Sequence, residues 1–264
     1  MTRFERITDR IYRLKVPFMS VYTAVFLIKC KDSYVLVDAA TTSEDALLIV
    51  DALKDAGVRS GQISHILITH AHGDHAGGLR YLCDMMPQAV VCAGSDYLRR
   101  KLSLDNFDLL SDGREISDGI FAVSLPGHSA DSYGYLDKRD GTLISGDAVQ
   151  LCGIGKYGTG LSSFEDYFAT LDKIDAMKLD TLVCSHDYYP HGCTAEGEEI
   201  ARYISDSESY ARYICTEIDA CVSRGLCDAV AICEIIKEKN RSVSPDMPQL
   251  QVSTVRAYLN KEKR

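Results

Sequence analysis

THAHGDHAGG, residues 69–78, sets four potential metal-ligating side chains within six positions: His70, His72, Asp74 and His75. The chain has only seven histidines, so packing alone is a poor account of three of them crowding here. The segment follows an apolar run, ISHILIT, whose near-continuous hydrophobicity predicts a strand over 63–70 covered on both faces. In an extended segment alternate side chains face one way, so His70 and His72 suit one ion. Asp74 and His75 fall at the start of a helix expected over 74–86, stopped before Pro87, and suit a second. A helix N-terminus favours a carboxylate there, and Gly73, Gly77 and Gly78 allow sharp turns.

Three further donors lie outward from this centre. His128 sits in PGHS after IFAVSL, Asp147 in SGD after GTLI, and His186 in CSHD after TLV. Each follows an apolar strand, as when a layered α/β protein gathers distant residues at one rim. Five neutral histidines and two carboxylates carry −2 against +4 for two divalent ions, and a bridging hydroxide leaves +1. That charge suits an oxyanion developing on an attacked carbonyl or phosphoryl group. Two ions roughly 3.5–4 Å apart lower the pKa of a shared water toward about 7. The two remaining histidines read differently, His65 as a structural strand residue and His191 as a rim residue.

The surrounding pattern supports this layering. VYTAVFLIKC (21–30) and SYVLVDAA (33–40) read as strands turning at Lys31-Asp32, and 46–57 as a helix with Thr41 and Glu44 at capping-box spacing. AVVCAG (89–94) is a strand, 96–104 a helix, IFAVSLPG (120–127) a strand, and 132–147 a hairpin turning at Asp140-Gly141. SSFEDYFATLDKIDAMKL (162–179) is a helix with Ser162 and Glu165 at capping-box spacing, and TLVCS (181–185) a strand. From Glu196 the texture becomes helical, in three stretches broken at Gly225 and at SPDMPQ. The expected division is a catalytic domain over 1–195 and a helical subdomain over 196–264.

The formal net charge of −9 disfavours long nucleic acids, whose binding rests on Lys and Arg displacing counterions. Ten cysteines without a CxxC pair, and a charged N-terminus without an apolar core, point to reduced thiols and a cytoplasmic protein. No stretch reaches the roughly 18 apolar residues of a membrane span.

THAHGDH together with His128, Asp147 and His186 resembles the metallo-β-lactamase superfamily, with its THxHxDH motif. The resemblance covers about residues 8–195. It implies an α/β fold, an αββα sandwich of two facing sheets with helices outside, here with a C-terminal helical extension. It also implies two metal sites: His70, His72 and His128 hold one ion, Asp74, His75 and His186 the other, and Asp147 bridges both. Two divalent ions per chain are expected, zinc first, although the same donors accept manganese or iron. Asp38 in VLVDAA matches the family's early aspartate, a support for the ligands; Ala40 stands where the family usually carries glycine.

Asp147 stands where true β-lactamases of this superfamily typically carry Cys or Ser. The pattern is instead similar to the glyoxalase II, lactonase and phosphodiesterase branches, and His72 argues against the flavodiiron proteins. The expectation is hydrolysis of an ester, thioester or lactone of a small molecule by a metal-bridging hydroxide, with Asp74 and Asp147 catalytic. Lys156, Tyr157, Tyr188, Tyr189 and Tyr22 are candidate substrate contacts. No cluster of basic residues favours glutathione. Competing readings are an iron-dependent persulfide dioxygenase, a phosphodiesterase or nuclease on the same centre, and a non-catalytic binding protein. The resemblance also makes a homodimer plausible.

Overall fold

The computed structural model describes residues 3–154, 158–239 and 248–261. The chain divides into two compact units, Met1–Ser124 with Asp131–Gly146, and Leu125–Ala130 with Asp147–Arg264.

The first unit holds a sheet of seven strands in chain order: β1 (Glu5–Arg6), β2 (Ile11–Phe18), β3 (Val21–Lys29), β4 (Tyr34–Val37), β5 (Ile63–Leu67), β6 (Val90–Ala93) and β7 (Phe107–Leu109). β1 to β4 pair antiparallel, and β4 to β7 pair parallel. Parallel strands need crossovers. Helix α1 (Ser43–Asp55) supplies the first of these, between β4 and β5. Its cap is Thr42, whose side chain accepts from Asp45 N–H while Asp45 answers, one residue beyond the Thr41–Glu44 pair read from sequence. Ile49, Leu53, Ile63, Ile66, Leu79, Leu82 and Val91 belong to one buried apolar cluster with strand residues Val25 and Leu36.

The helix expected over 74–86 is two helices, α2 (Gly73–Ala76) and α3 (Leu79–Met85). The break falls at Gly77-Gly78, where the chain passes against the segment after β4. A Cβ on Gly77 would lie 2.0 Å from the Thr41 carbonyl oxygen, and one on Gly78 2.3 Å from that of Ala39. The two glycines therefore permit a backbone approach that no side chain allows. The same unit carries α4 (Tyr97–Leu102) and the antiparallel strands β8 (Glu115–Ser117), β9 (Ile120–Ser124), β10 (Tyr133–Asp137) and β11 (Thr142–Ile144), paired in that order. Strands β7 and β8, of three residues each, are too short for alternation to reveal.

The second unit comprises α5 (Phe164–Asp175), the hairpin β12 (Thr181–Tyr188) and β13 (Gly192–Glu196), and helices α6 (Glu198–Val222), α7 (Ala229–Lys239) and α8 (Pro248–Lys261). Ser163 caps α5 by accepting from Asp166 N–H, again one residue beyond the expected cap. Helix α6 buries Ile200, Tyr203, Ile204, Ser207, Ala211, Ile214, Ile218 and Cys221, a stripe at helical spacing. It packs on α5, β13 and α7, and α7 on α8. The boundary expected near residue 195 thus falls inside this unit, within β13. β12 also runs past the expected 181–185 to Tyr188, so His186 lies within a strand rather than after one. Among the described residues no helix is long and apolar enough to cross a membrane. All ten cysteines are free thiols.

Candidate metal centre

The first unit delivers its donors on the turn from β5 into α2. Ile68 N–H bonds the Cys92 carbonyl, and the Tyr135 hydroxyl bonds the Ile68 carbonyl at 2.7 Å, fixing the strand's exit. His70 and His75 are buried, Asp74 is partly exposed and His72 exposed. The ring of His70 lies 4.6 Å from that of His72 and 4.1 Å from that of His75, centroid to centroid. His70 offers a nitrogen within 4.8 Å of one on His72 and of one on His75, and Asp74 offers an oxygen equally close to His75.

Asp38, fully buried, organises this group. Its Oδ1 accepts from Thr69 N–H at 2.8 Å, the Thr69 hydroxyl lies about equally near both oxygens, and its Oδ2 is 2.8 Å from His75 Nδ1. A carboxylate only accepts, so His75 carries its proton on Nδ1 and turns the Nε2 lone pair outward. That Nε2 lies 3.4 Å from Asp74 Oδ2.

The second unit holds the other three donors. His128 Nε2 lies 3.7 Å and His186 Nε2 3.4 Å from one atom, Asp147 Oδ2. His128 Nδ1 contacts the Gly160 carbonyl and Gln150 Nε2. The Gly160 N–H bonds Gln150 Oε1 at 2.8 Å, which settles that amide's orientation. Gln150 Nε2 then donates to the Asp147 and Gly160 carbonyls, at 3.0 and 3.2 Å. His128 therefore donates from Nδ1 to Gly160, and its Nε2 lone pair also faces a carboxylate.

These donors fit divalent cations. Where an imidazole lone pair and a carboxylate oxygen face each other at 3.4–3.7 Å, they repel unless a cation or a proton lies between them. Backbone or carboxylate acceptors on the opposite ring nitrogen, as at His75 and His128, are the usual second support of metal-binding histidines.

The profile of the Metallo-beta-lactamase superfamily matches residues 21–186, a span that includes all seven donors. The chain belongs to the metallo-β-lactamase superfamily. A hydroxyacylglutathione hydrolase from Methylococcus capsulatus is 26% identical over 231 residues, covering 84% of this chain and 86% of that protein. An atrochrysone carboxyl ACP thioesterase from Pseudocercospora fijiensis is 26% identical over 200 residues, covering 73% and 55%. A metallo-beta-lactamase family protein from Thermus thermophilus superposes with a TM-score of 0.71 at 15% identity, covering 98% of this chain and 95% of that one, which shows a shared fold. The α/β fold expected from the motif is the fold found, and the chain is a metal-dependent hydrolase of this superfamily.

The candidate substrate residues fare unequally. Tyr188 is fully buried in β12, its ring 6.0 Å from that of His186 and nearly perpendicular to it. Burial, with the neighbouring Asp147 carboxylate, pushes its phenol well above the ordinary tyrosine value, so it stays a neutral donor. Its hydroxyl neighbours the Asp147 carboxylate but makes no well-formed hydrogen bond among the described residues. Tyr189 is half exposed. Tyr22 sits in β3 opposite Pro17, with Lys15 Nζ 4.7 Å over its ring. Lys156 and Tyr157 lie outside the described residues. His65 is half buried in β5 beside Ser64, and burial lowers its pKa. His191 pairs with Asp206 at 2.7 Å.

Sequence reading missed Gln150 and the Thr69 hydroxyl. The one available signal for Gln150 was a lone amide inside the apolar run AVQLC; it is buried and makes hydrogen bonds through both amide atoms.

Proposed function

We propose that the seven donors hold two divalent ions, zinc first, in one dinuclear centre that hydrolyses an ester, thioester or lactone bond of a small molecule. In this reading His70, His72 and His128 hold one ion, Asp74, His75 and His186 the other, and Asp147 spans both. The observation that carries it is Asp147 Oδ2, one carboxylate oxygen approached by two imidazole nitrogens at 3.4 and 3.7 Å. A carboxylate, whose two oxygens carry about four lone-pair sites, suits a bridging role in that position.

The bound ions would supply an acidified water and a Lewis acid for the substrate carbonyl. The chain's own residues do the rest. Asp38 and the Gly160 carbonyl fix the ring orientation and tautomer of His75 and His128. Asp74, partly exposed at the start of α2, is placed to accept and return a proton. The Tyr188 hydroxyl, held neutral beside Asp147, is a donor for charge developing on a carbonyl oxygen. Thioesters come first among the substrates, because two of the relatives carry the names of thioester hydrolases. Free thiols throughout support a cytoplasmic setting, and a homodimer belongs to the same proposal.

The test is element-resolved metal content per chain, on protein purified without chelators or a metal-binding tag, followed by an ester, thioester and lactone panel. About two ions per chain with turnover on one of these classes is the expected result. A single iron per chain, with oxygen consumed in the presence of a persulfide, would replace this reading.

A further inference from the structure

We propose that Thr254, on the C-terminal helix α8, is a positioning residue for the metal-facing His128, acting through the segment Thr159–Leu161. The inference rests on the reading that His128 binds a metal. Thr254 is fully buried. Its hydroxyl donates to the Thr159 carbonyl at 2.7 Å and accepts from the Leu161 N–H at 2.8 Å, so it grips both sides of Gly160. Gly160 is the residue whose carbonyl accepts from His128 Nδ1 and whose N–H is tied to Gln150.

The same strip of chain is anchored once more beyond the grip. The Ser162 and Ser163 N–H groups and the Ser162 hydroxyl all bond the Gly127 carbonyl, at 2.8, 3.1 and 3.0 Å, next to His128 itself. Gly127 has φ +136°, and a Cβ there would lie 2.6 Å from Tyr167 Cα. The Tyr167 hydroxyl in turn accepts from Gln150 N–H. His128 therefore has little freedom in its own backbone, and its ring orientation depends on where the Gly160 carbonyl sits. That carbonyl sits where Thr254 holds it, from 93 residues away in sequence from Leu161.

Thr254→Val keeps the shape and removes the hydroxyl, leaving a buried N–H and C=O without their bonds. The segment then shifts, and His128 loses its fixed acceptor. Partners of this kind tune metal affinity by about 10–100-fold. Full-length apoprotein, stripped of metal, is titrated with Co(II) while the ligand-field spectrum is followed, and with Zn(II) in competition with a chelator. Wild type is expected to take up two ions. Thr254→Val should bind one of them about 10–100-fold more weakly with an altered Co(II) spectrum, bind the other as wild type does, and be restored by Thr254→Ser.

Uptake of both ions with wild-type affinity and spectrum by a folded Thr254→Val would overturn the positioning role. Equal weakening of both sites that serine does not repair would also overturn it. Should the valine chain fail to fold, Thr254→Ala, which removes the hydroxyl together with the γ-methyl and so adds no bulk, is judged by the same two criteria. A wild type that takes up fewer than two ions defeats the dinuclear reading itself, a result separable from any behaviour of the variants.

Discussion

The donors of the first unit and those of the second are held in place by different means. His70, His72, Asp74 and His75 are contiguous, and their support is compact: Asp38 reaches Thr69 and His75 directly. His128, Asp147 and His186 come from distant stretches, and the support of His128 passes through a glutamine, a glycine carbonyl and the helix α8. The first kind of site is written as a motif, because spacing along a strand and into a helix fixes the geometry. The second is written in side-chain-to-backbone bonds, which constrain few residue types and so leave little trace in sequence.

The largest effect is expected at the oxygen that the second cluster shares. Asp147→Ala removes the atom that His128 and His186 both approach. Losing several kcal/mol of metal-borne charge stabilisation predicts a fall in kcat/KM on the order of 10³-fold, with less than two ions retained. Turnover near wild type with unchanged metal content would rule out the bridging assignment.

Tyr188→Phe separates chemistry from support within the same strand as His186. A buried hydroxyl whose only polar neighbour is the Asp147 carboxylate, without a well-formed hydrogen bond, adds little to folding, and its removal should change the melting temperature only slightly. If it donates to an oxyanion, kcat should fall about 10²-fold while metal content stays at the wild-type value. An unchanged kcat would return Tyr188 to the core.

Asp38→Asn tests the compact support of the first cluster. Asp38 lies at φ +65°, a conformation asparagine tolerates, so the backbone is kept. The aspartate accepts at both oxygens, but an asparagine must turn an NH₂ toward either Thr69 N–H or His75 Nδ1–H. One of those bonds is lost, and metal affinity measured by chelator competition should drop about 10–100-fold. A drop confined to one ion would place Asp38 opposite Thr254 in the design, each supporting a different half of the centre.

These contrasts also explain what the sequence could and could not reveal. Strand and helix types were legible wherever apolar periodicity ran long enough, as in β3, α1 and α6. Both helix caps came out one residue early, because Thr41-Thr42 and Ser162-Ser163 offer two hydroxyls each and only backbone conformation chooses between them. The split of the helix after Asp74 was hidden for a different reason. Gly77 and Gly78 read as loose turn formers, whereas their role is to let the Thr41 and Ala39 carbonyls pass at a distance that excludes a side chain.

The smallest effect lies where this chain departs from the superfamily pattern. Ala40 occupies the place where the family usually has glycine, and it sits at φ +53°, buried beside Asp38 with its carbonyl bound by Gly78 N–H. A left-handed conformation costs a residue with a Cβ roughly 1–2 kcal/mol. Ala40→Gly would relieve that, while the freer unfolded chain takes back about 0.4–1 kcal/mol. The balance predicts a gain between zero and about 1.6 kcal/mol in denaturant unfolding. Metal binding should be unchanged, because the residues that hold His75 are untouched. A clear loss of stability would mean that the Ala40 methyl, which packs in the cluster with Leu79 and Ala76, outweighs its backbone strain. In that case the substitution at this place is an adaptation of the core and not a tolerated defect beside the site.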